Sequence, residues 1–164
     1  MGKITRVQKS RKEYVCGRCR TKIEKGQPYL KGELNFSKPV IRCCKCGLEA
    51  WEVTTSDYQL SVGEIVYRWR DNYEANEQGR DEIVDELTSI IDDLQDRLDN
   101  MPEGLRDGDT GVLLQERIDY LEEAITELED IDFEEPDDED DIFEEDPEEK
   151  YCEEIESALS NIQI

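Results

Sequence analysis

Six cysteines and no histidine set the chemistry open to this chain of 164 residues. Four of the cysteines form two Cys-x-x-Cys pairs, Cys16/Cys19 and Cys43/Cys46, with twenty-three residues between the pairs. A CxxC turn aims both sulfurs at one centre, so the two pairs predict one zinc ion held tetrahedrally by four thiolates. Gly47, directly after the second pair, suits a tight knuckle turn. The gap is slightly longer than the usual four-cysteine template, and two short strands would fill it. Without histidine, any site with imidazole ligands is excluded. The competing readings are free thiols or a redox disulfide, but a redox CxxC usually stands alone near a βαβ pattern, which is absent here. Cys44 sits between two ligands and reads as pointing away; Cys152 reads as a small buried or half-buried residue. Asp107-Gly108-Asp109-Thr110-Gly111 resembles the start of a calcium loop, but its spacing fails after the second aspartate and no glutamate closes it. It reads as a turn.

The elements that must position the cysteines are short of apolar material. Charged residues make up 39% of the chain and apolar ones 36%, too lean for one large core. The charge is also unevenly placed. Residues 1–50 carry 13 Lys/Arg against 4 Asp/Glu, and residues 51–164 carry 7 against 40, so a basic metal module joins a very acidic arm. No signal-peptide pattern and no membrane-spanning apolar run is present, and paired cysteines then predict a reducing, cytoplasmic setting.

The predicted class is α+β, mostly α. Residues 1–54 read as a small, basic, zinc-ribbon-like β module. Ile4 and Val7 could add the lead-in to a strand, although a charge run reads first as a solvated terminus and second as a phosphate-contacting arm. Ile23 to Leu30 reads as a turn and a strand, with further strands at Glu33 to Phe36 and Val40 to Arg42. Residues 55–132 read as helical. Thr55 or Ser56 would cap a helix bearing Tyr58, Val62, Ile65, Val66, Trp69 and Tyr73 at helical spacing, packed on the zinc module, and Gln78-Gly79 would interrupt it.

An antiparallel, coiled-coil-like hairpin is predicted over 81–132. One stripe is Ile83, Leu87, Ile90, Ile91, Leu94 and Leu98; the other is Leu114, Ile118, Leu121, Ile125 and Leu128, capped by Thr110. Two helices bury one seam, so a third helix or a second copy of the chain should cover the rest. Residues 133–149 are expected to be an acidic linker, disordered when free, since 15 of the 21 positions from 129 to 149 are Asp or Glu. A short amphipathic helix closes the chain over 150–164, with Tyr151, Ile155, Leu159 and Ile162 on one face.

Several of these stretches resemble a family of uncharacterised bacteriophage proteins. The resemblance is carried by the basic start, the two knuckles with Lys25-Gly26 between them, and Leu60 after Thr54-Thr55-Ser56-Asp57-Tyr58. It is carried above all by Asn100-Met101-Pro102-Glu103-Gly104-Leu105, Gly108-Asp109-Thr110-Gly111 and Leu114-Gln115-Glu116-Arg117. It covers residues 10–131 and implies a phage origin and a zinc site, but no activity. The host cytoplasm is then the expected location.

Three functions compete. The first is a non-enzymatic, zinc-stabilised acidic protein that inhibits or regulates a host nucleic-acid-binding protein, as a mimic of nucleic acid and of the anti-defence or anti-CRISPR kind. Its candidate contacts are Asp92, Asp93, Asp96, Asp99, Glu122 and Glu123 on the hairpin and Asp137, Asp138, Glu139, Asp140, Asp141 and Phe143 in the tail. A homodimer through the hairpin is a further expectation. The second is a nucleic-acid-binding or transcription-associated zinc module restrained by its acidic arm, acting only through residues 1–54. Arg18, Arg20, Lys22, Lys25, Lys31, Lys38, Arg42 and Lys45 would ring the knuckles there, with Tyr29 and Phe36 for stacking. The third, an enzyme, is disfavoured: a four-thiolate zinc keeps no open position, and no Gly-rich phosphate loop or apolar setting singles out a carboxylate.

Overall fold

Strand β1 (Lys3–Val7) pairs antiparallel with β4 (Tyr29–Glu33), and β4 pairs antiparallel with β5 (Val40–Cys43). The register sets Thr5 opposite Lys31 and Tyr29 opposite Cys43. A second ribbon, β2 (Tyr14–Val15) with β3 (Lys22–Ile23), flanks the first knuckle. The basic lead-in is therefore an edge strand and not a solvated terminus: alternation brings Thr5 and Val7 to half-buried positions while Lys3 and Arg6 stay exposed. The computed structural model describes residues 2–34, 37–133 and 147–163. The separate strand predicted from Glu33 to Phe36 is not seen at its start: Glu33 is the last residue of β4, Leu34 lies in no strand, and Phe36 lies outside the described residues.

The chain divides into two units, Met1–Gly63 and Glu64–Ile164. In the first, Cys16, Ile23 and Tyr29 form a small core with Val7, Tyr14, Ile41, Cys43 and Cys46 packed around it. Leu48 and Val53 pack against Gly32 of β4. A single 3-10 turn, Ala50–Glu52, follows the second knuckle, and the Trp51 ring lies against Gly63. Ser56 stands before helix α1 (Asp57–Asn72), and its Oγ accepts from Gln59 N at 3.4 Å. Tyr58, Val62, Ile65 and Trp69 are buried along α1, which runs across the boundary between the units.

The second unit is helical. Helix α2 (Glu77–Asp99) and helix α4 (Asp109–Glu129) are joined through a one-turn helix α3 (Glu103–Arg106). Ile83, Leu87, Leu94 and Leu98 of α2 and Leu114, Ile118, Leu121 and Leu128 of α4 are buried, while Ile90, Ile91 and Ile125 are half-buried. The hairpin is antiparallel: Arg80 at the start of α2 donates from Nη1 to Ile131 O beyond the end of α4, at 3.1 Å. Helix α5 (Pro147–Ser160) is the third helix that two stripes require. It lies against α4, burying Tyr151, Ile155, Ala158 and Leu159, and just beyond it Asn161 Nδ2 reaches the Glu127 carboxylate at 2.9 Å.

Two helix boundaries differ from the pattern. Gly79 does not break a helix; it sits in the first turn of α2, and Asn76 caps that turn by accepting from Gly79 N at 2.9 Å. A Cβ at 79 would collide with the Glu74 carbonyl, so the residue that reads as a breaker permits a close chain crossing. Helix α4 starts one residue before Thr110, with Gly108 at the cap position. Among the described residues no helix is long and apolar enough to cross a membrane.

Candidate metal centre

The first knuckle is a loop between β2 and β3, closed by Cys16 N donating to Thr21 O at 2.9 Å and Arg20 N to Cys16 O at 3.1 Å. The second begins on the last residue of β5. Gly17 N donates to Ile41 O at 2.9 Å and brings the two knuckles together. Each knuckle ends on a left-handed residue directly after its second cysteine, Arg20 at φ 59° and Gly47 at φ 72°. At Gly47 this conformation is free; at Arg20 the Cβ makes it costly by about 1 kcal/mol or more.

The result is a cluster of four sulfurs, from Cys16, Cys19, Cys43 and Cys46, all within 4.8 Å of one another. Cys19 Sγ and Cys43 Sγ are 3.7 Å apart. A tetrahedral ion with bonds of ~2.3 Å to sulfur needs sulfur–sulfur edges of about 3.8 Å. The four could hold a metal ion, and the donor set is all thiol.

The thiols share their protons unequally. Cys19 is lowered to about 6, first by the Thr21 hydroxyl at 3.2 Å and then by the Thr21 backbone N–H. Cys46 is raised to about 12, first by its hydrogen bond with Cys19 and then by burial. At Cys16 burial acts upward, but N–H donors from Cys43, Cys19 and Arg18 outweigh it and leave the thiol below its ordinary value. Cys43 N reaches Cys16 Sγ at 3.4 Å. Cys19 and Cys16 are thus shifted toward the thiolate state that a metal requires, and Cys46 away from it. Cys44 is exposed and lies outside the four-sulfur cluster.

A residue that the sequence did not single out ties the two knuckles together. The Glu52 side chain is 4% exposed and sits between two guanidinium groups. Arg42, just before the second knuckle, donates from Nε at 2.8 Å and has Nη2 at 2.6 Å, both to Glu52 Oε1. Arg18, inside the first knuckle, places Nη2 2.8 Å from Glu52 Oε2 as an ion pair and donates from Nη1 to Cys46 O at 2.8 Å. Glu49 N completes the set, donating to Oε2 at 3.0 Å. The only sequence sign of this role is a charge between two apolar residues, Trp51-Glu52-Val53.

The clamp changes the list of basic residues around the knuckles. Arg18 and Arg42 are spent on Glu52, and Lys22 pairs with Glu13 at 2.9 Å. Lys31 pairs with Glu33. Tyr29 is buried, with its ring centroid 4.9 Å from that of Tyr14, and offers no face for base stacking. On the hairpin, Asp92, Asp93, Asp96, Asp99, Glu122 and Glu123 are exposed. Asp137, Asp138, Glu139, Asp140, Asp141 and Phe143 lie outside the described residues, as does most of the 133–149 linker. No protein-family model, curated protein or solved structure matches the chain.

Proposed function

We propose that the chain is a zinc-stabilised, non-enzymatic interaction protein whose helical unit presents carboxylates to a basic, nucleic-acid-binding partner. The observation that carries this reading is on α2. All nine acidic residues of that helix are exposed, over 23 residues. At ~1.5 Å of rise per residue this is one carboxylate per about 4 Å, against ~3.4 Å per phosphate along one strand of B-DNA. The apolar stripes of α2, α4 and α5 are already used within the unit. Exposed carboxylates far outnumber the exposed apolar side chains of the described unit, Tyr67, Leu105, Val112 and Leu113, as features for a partner to recognise. A closed four-thiolate zinc leaves no coordination position for substrate, which supports a structural metal and a non-enzymatic role. The resemblance to phage proteins would place that partner in a host cell, where competition with its natural ligand would inhibit or regulate it.

The test is capture by the immobilised full chain from nuclease-treated bacterial lysate. A basic nucleic-acid-binding protein should be retained, released by added duplex DNA, and released as salt rises from about 50 to about 200 mM. Asp92→Asn/Asp93→Asn/Asp96→Asn/Asp99→Asn should weaken the capture. Retention that DNA, salt and that variant all leave unchanged would sink the reading.

A further inference from the structure

Residues 9–12 place three cations, Lys9, Arg11 and Lys12, on the loop that leaves β1. On sequence alone such a run is a solvated arm. The structure fixes it at Ser10, which is 4% exposed. Ser10 Oγ donates to Glu24 O at 2.7 Å and accepts from Gly26 N at 3.1 Å. Along the main chain, Ser10 N donates to Gln27 O and Gly26 N donates to Ser10 O, both at 3.0 Å. These contacts fasten the basic loop to the turn that carries Lys25. Ser10 faces inward while Lys9, Arg11, Lys12 and Lys25 are all exposed.

The four cations also have no carboxylate partner among the described residues. Among the described residues none of them forms an ion pair. Of the nearby acids, Glu13 pairs with Lys22 and Glu24 also acts on Lys22. Lys12 Nζ lies 5.3 Å from the centre of the Tyr14 ring, which orients it without neutralising it. This chain has 44 carboxylates for 20 cations, so unpaired, clustered cations run against its composition. Anchored backbone beneath them also lowers the ordering cost of binding an anion.

We propose that Lys9, Arg11, Lys12 and Lys25, held in register by Ser10, form a site for the phosphate backbone of nucleic acid. Tyr29, one of the two rings expected to stack on bases, is buried, and the four exposed cations suit contacts to the phosphate backbone, which carry no base sequence. The proposal rests on the metal module alone and is independent of the acidic reading of the helices.

The test is fluorescence anisotropy of the full, zinc-loaded chain with a labelled DNA duplex of about 20 base pairs, starting at about 50 mM salt. Four phosphate contacts give an expected slope of log K against log salt of about −3.6, or roughly a hundredfold loss of affinity between 50 and 200 mM. Lys9→Gln/Arg11→Gln/Lys12→Gln/Lys25→Gln should remove binding and its salt dependence. Lys38→Gln/Lys45→Gln, at exposed cations elsewhere in the same module, should change it by less than about twofold, as expected for charges outside the site. Ser10→Ala keeps every charge and should weaken binding about fivefold, with zinc content unchanged, since it loosens only the anchor. Absence of binding by the parent chain at low salt overturns the site. So does equal loss in the two glutamine variants, which would mean general basicity.

Discussion

The metal module and the helical unit reach order by opposite means. Counting only the described residues of each unit, those up to Gly63 bury eight apolar side chains, beside strands of two to five residues. The helical unit buries seventeen, most of them in stripes along helices of fourteen to twenty-three residues. Where apolar area is scarce, position is set by directional bonds: four sulfurs, the Glu52 clamp and the Ser10 anchor. Where stripes run on, each residue contributes a graded share of a seam. The comparison teaches that single substitutions should act as switches in one unit and as increments in the other.

The largest effect should come from loss of the proposed zinc. Cys19→Ser, or removal of zinc by a chelator, should unfold the metal module while the hairpin keeps its helical circular dichroism. Binding a structural zinc is worth ~10 kcal/mol or more of folding energy, comparable with the whole stability of a small domain. Unchanged zinc content and melting in Cys19→Ser would refute the centre. Next, Leu87→Ala removes a fully buried side chain and should cost the helical unit ~2–5 kcal/mol in denaturant titration. Its zinc stoichiometry should stay that of the parent.

Glu52→Ala should cost about 3 kcal/mol, because two guanidinium groups would be left facing each other in a mostly buried site. Its sharper signature is faster zinc loss to a chelator, which a defect confined to folding of the helices would not produce. The smallest effect should be a gain. Arg20→Gly relieves a left-handed residue after the first knuckle and should stabilise the module by about 1 kcal/mol, read as a rise in melting temperature. A loss instead would mean that the Arg20 side chain has a contact worth more than the strain.

What could be read from the sequence followed the same division. The stripes of α2, α4 and α5 and the two knuckles are local patterns, visible as spacing alone. The order β1-β4-β5 was not legible, because β1 and β4 join residues 22 to 30 positions apart and the lead-in looked like a charge run. Glu52 was missed for the same reason: its partners are at 18 and 42, and only folding brings the three together. Gly79 was misread because glycine marks both helix breaks and close chain crossings, and only the Glu74 carbonyl distinguishes them. Helix α3 is one turn long and carries no period to detect.

The placement of the two tryptophans has an optical consequence. Trp51 lies against Gly63 in the metal module, and Trp69 is buried in the helical unit with the Arg70 guanidinium 5.5 Å from its ring. Each unit therefore carries its own intrinsic emitter, and the chain contains no other indole. In a Trp69→Phe chain all indole emission would come from the metal module, and in Trp51→Phe from the helices. The two halves of the comparison could then be followed separately by colour and quenching in one intact, unlabelled molecule.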